Sequence, residues 1–408
     1  MAQPKPTVLI YRRNLLQFSE TFIHRQARSL TRWNGVLVGT PIDDGLPLDG
    51  LKYCAIQMPD PSIGMVKEKT LSNKFRRLFL RATNGSDLPH EAQAERTAKH
   101  IVRQPWFPSL REFSPRLLHV HFGTNAEEAW PLAIALKIPM VVTLHGYDAS
   151  VYSETWEAGA KGRRYRRYPS ALRAMAQWGT KFIAVSDAIV ECAKSYDLND
   201  AAIKKIVIGV DAKAISPSPI PMQLRSRRIL FVGRFVEKKG VEYLIRAFSD
   251  VKSRVPDAQL RIIGDGKLNA NLRSMARDPG ICFAGRQTAD QVLREMQQAR
   301  VLCVPSVRAS DGDAEGLPTV IPEAQASGLP VVTSDPAGGK EGIIAGVTGI
   351  AIPERDHDAL VEALVRYLTD DAFAAASSSA ARRFAEDNLD MATQTLKLEE
   401  YYDQLAAI

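Results

Sequence analysis

Two glutamates, Glu315 and Glu323, lie in a polar loop and in the helix predicted to follow it. The loop comes after an apolar run, residues 301–304, that is typical of a buried strand. We expect the helix to begin near Pro318, so that Glu315 lies at its N-terminus and Glu323 one to two turns further on. Both carboxylates can then face one cleft. Carboxylates suit ligand hydroxyls, because each accepts several hydrogen bonds.

The start of this helix also predicts a phosphate-binding element. The free backbone N–H groups of Gly316 and Leu317 are expected to point from the helix N-terminus toward an anion. Pro322 stands inside the predicted helix and lacks an N–H, so the helix either begins later than Pro318 or opens with a tight turn. The reach of Glu323 into the cleft depends on which of these occurs.

A second polar loop, residues 231–240, follows another predicted strand. Gly233 permits a tight turn, and Arg234 and Lys239 are predicted to converge on one anion at the end of that strand. Arginine offers a planar fork and lysine a compact point charge, a combination that suits a diphosphate. The alternative for this loop is a solvated basic turn.

Three other motifs suggest chemistry that the rest of the sequence does not support. Residues 264–266, Gly-Asp-Gly, lack the third glycine of a dinucleotide fingerprint, so we expect a tight turn that serves the same pocket. Asp311-Gly-Asp313 has the form of a metal-binding D-x-D, but it lies inside the loop of the glutamates and we predict no metal site there. His119 and His121 are predicted to point to opposite sides of a strand, which argues against a zinc pair.

The elements that must position these loops follow a regular order. Short apolar runs alternate with longer amphipathic stretches, the pattern of βαβ units around parallel sheets. Strands are predicted at 7–11, 36–39, 117–121, 140–144 and 181–185, and then at 228–232, 259–263, 281–284, 301–304 and 330–333. Ligands of such sheets bind beyond the carboxyl ends of the strands, where the loops above lie. The predicted fold class is α/β, with two Rossmann-like domains.

Three alternating prolines mark the boundary between the two domains. The segment Ser216–Met222 cannot continue a helix or a central strand, and we predict that it is a linker. We place the first domain at residues 1–215 and the second at 225–390, and we expect a C-terminal helix at 391–408 to pack back toward the first domain. A chain of 408 residues is long enough for two cores.

The net charge of +7 is unevenly distributed along the chain. Residues 1–213 hold 30 basic and 20 acidic side chains, whereas residues 214–408 hold 23 and 26. Residues 66–81 have an apolar face with basic side chains elsewhere, which indicates either a helix on an anionic membrane or an ordinary helix packed on the sheet. The basic run 161–168 strengthens this patch only if its cations share a face with others.

The chain is predicted to be cytoplasmic. Residues 1–13 contain too short an apolar run for a signal peptide, and no segment approaches the roughly 20 apolar residues of a membrane span. Four scattered cysteines without a CxxC pair indicate free thiols in a reducing compartment. Two of them, Cys282 and Cys303, are predicted within buried strands.

With these loops in order, the chain resembles the retaining glycosyltransferases of family GT4, which have the GT-B fold. The resemblance rests on the E-x7-E spacing of the two glutamates, on G-R-x4-K upstream and on G-x-P-V-V downstream. It is strongest for the colanic acid and amylovoran type of exopolysaccharide enzymes, through the motifs Phe18-Ser-Glu-Thr-Phe22, His121-Phe-Gly123, Leu144-His-Gly-Tyr-Asp148 and Gly209-Val-Asp211. It implies two domains that face each other across a cleft, the first for the acceptor and the second for a nucleotide sugar.

The resemblance implies how the second domain would hold a donor. Arg234 and Lys239 would bind the diphosphate of the nucleotide sugar. Glu315 would bond hydroxyls of the transferred sugar, and Glu323 would bond those of the ribose. Arg286, after the strand that ends at residue 284, would contact the base.

The resemblance also implies roles in the first domain. His145 would contact the donor sugar from across the cleft, and Ser19-Glu20-Thr21 would border the acceptor. In the family the acceptor enters on the face of the leaving group and the anomeric configuration is retained. The two glutamates would therefore bind hydroxyls, unlike the acid and the nucleophile of a glycosidase.

The predicted function is a metal-independent transfer of a hexose from a nucleotide sugar to a lipid-linked saccharide or glycolipid, in exopolysaccharide or cell-envelope glycan synthesis. A UDP-sugar is preferred over a GDP-sugar, and neither a separate cofactor nor a nucleic-acid partner is expected. The basic first half suits peripheral contact with the anionic inner face of the plasma membrane. One alternative is a GT-B sugar-nucleotide epimerase, and another is a non-catalytic scaffold of a polysaccharide assembly complex.

Overall fold

The computed structural model describes residues 4–17, 20–43, 45–58, 90–335 and 338–407. Within these ranges the chain forms two sheets in which all strand pairs are parallel, and the α/β fold class is confirmed. The helix predicted at residues 66–81 lies outside the described residues, as do Phe18 and Ser19.

The first domain is built on a seven-stranded sheet. Its strands are β1 (Thr7–Asn14), β2 (Asn34–Thr40), β3 (Lys52–Ala55), β4 (Pro115–His121), β5 (Met140–Leu144), β6 (Lys181–Ala184) and β7 (Ile203–Lys205). Its helices are α1 (Thr21–Arg28), α2 (His90–Ile101), α3 (Phe107–Glu112), α4 (Gly123–Leu136), α5 (Tyr147–Ser150), α6 (Ser153–Glu157), α7 (Tyr168–Trp178) and α8 (Asp187–Lys194). The strand order is β3-β2-β1-β4-β5-β6-β7, so the direction of winding reverses between β1 and β4.

The second domain repeats this plan with six strands. They are β8 (Arg228–Val232), β9 (Gln259–Ile263), β10 (Ile281–Gly285), β11 (Val301–Val304), β12 (Val331–Asp335) and β13 (Gly349–Pro353). The helices that follow are α9 (Val241–Arg254), α10 (Asn269–Met275), α11 (Ala289–Gln298), α12 (Val320–Ala326), α13 (His357–Thr369), α14 (Asp371–Asn388) and α15 (Met391–Ala406). The order is β10-β9-β8-β11-β12-β13, with its reversal between β8 and β11. A crevice opens at such a reversal, at the carboxyl ends of the strands.

Each sheet is covered on both faces by apolar side chains. In β1, Leu9 and Tyr11 belong to one buried cluster, whereas Val8 and Ile10 belong to the cluster on the opposite face. The second sheet shows the same alternation, with Phe231 on one face and Leu230 on the other. Successive side chains of a strand point to opposite faces, so near-continuous apolar runs are required where helices cover both.

The strands that the sequence did not predict are β3, β7 and β13, and all three are at the edge of a sheet. An edge strand has one neighbour and one open side, so its residues need not be apolar. Position at a sheet edge also explains why the prediction of a buried strand around Cys282 is wrong. Cys282 lies on the edge strand β10 and is exposed, whereas Cys303 on β11 is buried.

The C-terminal helix α15 lies against the sheet of the first domain. Glu399 on this helix is fully buried and accepts hydrogen bonds from the backbone N–H groups of Thr31, Arg32 and Trp33, at 2.7–3.0 Å. The ring of Tyr402 packs against Trp33, with centroids 5.5 Å apart. The end of the chain therefore holds the two domains together.

We predict that the Glu399→Ala variant lowers the free energy of unfolding by about 2–4 kcal/mol, because the buried N–H of Trp33 and the part-buried N–H groups of Thr31 and Arg32 all lose their acceptor. The matched control is Glu400→Ala, since Glu400 is exposed on the same helix. Urea unfolding monitored by circular dichroism measures both variants. Equal stability of the two variants would contradict the role given to Glu399 in holding α15 on the first domain.

Candidate functional site

A cleft of about 590 Å³ lies between the two domains, at the winding reversals of both sheets. Its wall on the second domain contains the predicted residues Arg234, Lys239, Glu315 and Leu317. His145 lies on the opposite wall, together with side chains that follow β1. The structure therefore brings most of the predicted site residues to one cavity.

The loop after β8 presents its cations to this cleft. Arg234 is exposed, and no carboxylate of the described residues lies within ion-pair distance of it. Lys239 instead donates a hydrogen bond to Glu315, with Nζ 2.9 Å from Oε2. Gly240 closes the loop at φ 63°, and a Cβ at this position would lie 1.8 Å from the carbonyl oxygen of Pro305. Only glycine fits here, so the lysine is held close to the end of β11.

The turn at residues 264–266 packs directly against the loop after β8. A Cβ on Gly264 would lie 1.9 Å from the carbonyl oxygen of Gly233, and the N–H of Phe235 donates to the carbonyl of Asp265 at 2.9 Å. The expectation of a tight turn that serves the pocket agrees with these contacts. Gly233 takes part in this contact through its carbonyl group, and it does not line the cavity.

Lys238 is a site residue that the sequence analysis missed. Its side chain is 9% exposed, and its Nζ lies 2.9 Å from Oδ1 of Asp313 and 3.2 Å from Oε1 of Glu315. Burial lowers the pKa of Lys238, but the charges of Glu315 and Asp313 more than offset this and the pKa is raised. The signal available in the sequence was the pair of adjacent lysines before Gly240.

Glu315 is held in its ionised form by these two lysines. Burial alone would raise the pKa of Glu315, but the charges of Lys239 and Lys238 and the hydrogen bonds from both lower it to about 2. The carboxylate is therefore charged at every physiological pH, and it can only accept hydrogen bonds.

Glu323 lies apart from Glu315, in a narrow pocket of about 10 Å³ beside the main cleft. Its Oε1 lies 3.2 Å from Nη1 of Arg25 on α1. The carboxylate that was predicted to bind the ribose is therefore paired with a residue of the first domain. Burial raises the pKa of Glu323, and the charge and hydrogen bond of Arg25 lower it only in part.

The helix that carries Glu323 begins at Val320, which is two residues after Pro318 and agrees with the later start that Pro322 suggested. The N–H of Ile321 donates to the carbonyl of Pro318 at 2.9 Å, a tight turn that supplies the partner which Pro322 cannot. Gly316 and Leu317 therefore precede the helix. The Leu317 side chain packs into the core of the first domain.

His145 lies on the loop after β5, where its Nε2 is 3.0 Å from Nδ1 of His121. Burial, followed by the charge of Arg12, keeps the pKa of His145 well below its ordinary value, so the ring is neutral at pH 7. Its Nδ1 is buried and has no hydrogen-bond partner among the described residues. His145 therefore lines the cleft while one of its ring nitrogens has no partner among the described residues.

The prediction that His119 and His121 point to opposite sides of β4 is wrong. Residues two apart on a strand share a face, and the two ring centroids lie 4.3 Å apart. His119 is buried, between the hydroxyls of Tyr402 and Thr143. Among the described residues, no group of three or more His, Cys, Asp or Glu side chains is arranged to hold a metal ion.

The remaining predicted residues occupy other positions. The side chain of Arg286 is 84% exposed, and its Nε lies 3.6 Å from Oδ2 of Asp265. Arg286 does not line the cavity. Glu20 lines the cleft, but its carboxylate is bound by the buried Arg12. Asp311 is paired with Lys161 of the first domain.

Direct contacts join the loop of Glu315 to the first domain. The N–H of Tyr152 donates to the carbonyl of Asp311 at 3.1 Å, and the N–H of Ala314 donates to Oγ of Ser150 at 2.8 Å. A Cβ on Gly316 would lie 2.2 Å from the carbonyl oxygen of His145. The loop therefore bridges the cleft, and both domains fix its position.

Two family models match the chain. The model described as Glycosyltransferase Family 4 matches residues 75–214, and the model described as Glycosyl transferases group 1 matches residues 216–384. No helix among the described residues has the length and apolar character needed to cross a membrane.

Curated relatives include enzymes of glycan synthesis. The chain is 33% identical over 208 residues to the amylovoran biosynthesis glycosyltransferase AmsK of Erwinia amylovora, covering 49% of this chain and 51% of that protein. It is 33% identical over 213 residues to the GDP-mannose-dependent alpha-(1-6)-phosphatidylinositol monomannoside mannosyltransferase of Mycolicibacterium smegmatis, covering 49% and 56%. The putative colanic acid biosynthesis glycosyltransferase WcaL of Escherichia coli is 32% identical, covering 39% and 40%. The chain thus spans about half the length of the relatives it matches.

Solved structures share the fold over the whole chain. Sucrose-phosphate synthase from Thermosynechococcus elongatus superposes with a TM-score of 0.72 at 17% identity, covering 99% of this chain and 100% of that one. Anabaena Alr3699/HepE in complex with UDP gives 0.68 at 17% identity, covering 98% and 100%. With the two family models matched in order and with AmsK and WcaL among its relatives, the chain belongs to the GT4 family of GT-B glycosyltransferases.

Proposed function

We propose that this chain is a retaining hexosyltransferase that uses a nucleotide diphosphate sugar in exopolysaccharide or cell-envelope glycan synthesis. The observation that carries the proposal is the ionised Glu315, held between Lys238 and Lys239 beside Arg234, which is unpaired among the described residues. A buried carboxylate in this state accepts hydrogen bonds from sugar hydroxyls. The cations beside it match the charge of a diphosphate.

The proposed chemistry follows from the placement of these charges. As the bond between the sugar and the phosphate lengthens, negative charge builds on the leaving diphosphate and positive charge on the sugar. Arg234 and Lys239 already lie on the cleft wall, so they stabilise this separation without reorganisation. The acceptor hydroxyl attacks from the leaving-group face, and the diphosphate accepts its proton. The products are the retained glycoside and the nucleoside diphosphate.

The proposed reaction needs no metal ion at the Asp311-Gly-Asp313 sequence. Asp311 is paired with Lys161, and Asp313 is paired with Lys238. Each carboxylate is therefore already neutralised by a lysine, and the charge of the diphosphate is left to Arg234 and Lys239.

For the donor we propose a UDP-sugar, with a GDP-sugar as the alternative. The Anabaena structure that shares the fold holds UDP, whereas the Mycolicibacterium relative is named for GDP-mannose. Protection against thermal unfolding by a panel of UDP- and GDP-sugars decides between them, because a ligand that binds only the folded state raises its stability. If no nucleotide sugar raised the melting temperature, the proposed function would be wrong.

For the acceptor we propose a lipid-linked saccharide or a glycolipid, bound by the first domain. The excess of basic residues lies in that half of the chain, which supports peripheral contact with an anionic membrane surface. We accordingly place the protein in the cytoplasm, at the inner face of the plasma membrane.

We predict that Arg234→Ala and Lys239→Ala each reduce kcat/KM for the nucleotide sugar by at least about 100-fold, because each removes a cation that stabilises the leaving diphosphate. Arg294→Ala is the control, since Arg294 is exposed on α11 in the same domain. The measurement is release of the nucleoside diphosphate in the presence of acceptor. Activity within threefold of the wild type in either variant would remove that residue from the mechanism.

A second prediction concerns Glu323, whose pKa is raised mainly by burial. An acid with a raised pKa contributes stability below its unfolded pKa and loses it as the pH rises through the folded value. Glu323→Gln should therefore melt about 1–3 °C higher than the wild type at pH 8, and this difference should vanish near pH 4. Scanning calorimetry without donor measures it.

The control for this titration is Glu400→Gln, because Glu400 is exposed and the same substitution there should leave the melting temperature unchanged at both pH values. In parallel, Glu323→Gln should weaken binding of UDP, since one acceptor for the ribose hydroxyls is lost. A variant that melts below the wild type at pH 8 would show that the bond to Arg25 outweighs the cost of burial.

A further inference from the structure

The charges that line the cleft cancel, except at two arginines. Arg12 is paired with Glu20, and Arg13 is paired with Glu128. On the other wall, Lys238 and Lys239 are paired with acidic side chains of the Glu315 loop. Among the described residues that line the cavity, Arg164 and Arg234 are the cations without a carboxylate oxygen within 4.0 Å.

Arg164 belongs to the first domain, in the basic run that the sequence analysis singled out. It lies on a short 3₁₀ turn, Arg163–Tyr165, between α6 and α7. Its Cζ stands 4.4 Å from the centre of the Tyr165 ring, and its Nη2 donates to the hydroxyl of the same residue. That ring in turn packs edge-on against the buried Trp156, with centroids 5.7 Å apart.

This stacking orients the guanidinium without neutralising it. A stacked guanidinium keeps its charge and most of its N–H donors free, and part of its conformational entropy is already lost before a ligand binds. The segment is also tied to the second domain, because Lys161 pairs with Asp311. Arg164 is therefore an oriented cation on the wall of the cleft, without a carboxylate partner in the described part of the chain.

The donor does not account for this cation. The proposed diphosphate site lies on the second-domain wall, where Arg234 and Lys239 supply its two positive charges. Arg164 lines the first-domain wall, together with Thr124 and Tyr147, whose hydroxyls lie 2.9 Å apart. In the proposed function this wall takes the acceptor. A second cation on that side calls for a second anion.

We propose that Arg164 binds an anionic group of the acceptor, so that the acceptor carries a negative charge at this wall rather than being neutral there. The inference rests on the proposed function. The anion is either the carboxylate of a uronic acid or a phosphate of the lipid carrier, since a guanidinium fork matches both. The hydroxyls of Thr124 and Tyr147 lie on the same wall, where they can bond the sugar ring.

The experiment uses the full chain saturated with UDP, so that the diphosphate cations are occupied. Isothermal titration compares three probes: methyl glucoside, which is neutral, methyl glucuronide, which carries a carboxylate, and butyl glucosyl phosphate, which carries a phosphodiester. We expect one charged probe to bind about tenfold tighter than the neutral one, which identifies the source of the anion. Arg164→Gln should abolish this preference, and 0.5 M salt should reduce it.

The matched control is Arg163→Gln, since Arg163 is exposed on the same turn and does not line the cavity. It should keep the preference for the charged probe. Equal binding of charged and neutral probes by the wild type would overturn the inference, and so would a preference that persists in Arg164→Gln. Absence of UDP binding by the wild type would instead refute the proposed function itself.

Arg164→Gln must also leave the dissociation constant of UDP unchanged within twofold. A clear loss of UDP affinity would assign Arg164 to the donor and would contradict an acceptor role. Because Arg164 is exposed, the variant is expected to fold, and an unchanged circular dichroism melting curve checks this.

Discussion

The carboxylate of Glu315 is buried and charged, and the rest of the site is arranged to make this possible. An isolated buried carboxylate would take up a proton, since burial penalises the charged form. Two lysines after β8 prevent this, and they reach Glu315 because β8 pairs directly with β11, the strand that precedes its loop. The close contact of Gly240 with Pro305 fixes the distance between the two loops. The order of the strands therefore places a charged carboxylate here, where it can accept hydrogen bonds from the hydroxyls of a ligand.

The same loop also determines how the domains meet. Hydrogen bonds from Tyr152 and to Ser150 hold its backbone on the first domain, and Leu317 inserts into the apolar core there. Its start and end remain attached to β11 and α12 of the second domain. A change in the angle between the domains must therefore displace the loop that carries Glu315. The residues proposed to bind the donor and the wall proposed for the acceptor are therefore coupled through this loop.

The sequence predicted what depends on local pattern and missed what depends on tertiary position. The central strands and the loops of Glu315 and Lys239 were predictable, because apolar runs and glycine turns are local signals. Cys282 was misplaced because nothing local distinguishes an edge strand from a central one. The adjacent lysines could have marked Lys238 as a candidate, but its pairing with Asp313 and Glu315 was not predictable, because both partners follow it by about 75 residues. The pairing of Glu323 with Arg25 is longer in range still, and it joins separate domains.

The bond between Lys239 and Glu315 prepares the site for a donor rather than blocking it. An ammonium group has three N–H donors, and the contact at 2.9 Å uses one of them. The other two remain for phosphate oxygens, while Lys238 keeps Glu315 ionised from its buried side. Arg234, which has no carboxylate oxygen of the described residues within 4.0 Å, adds a planar pair of donors. When a diphosphate binds, the lysine can keep its carboxylate, so the cations need little reorganisation at the moment when charge develops on the leaving group.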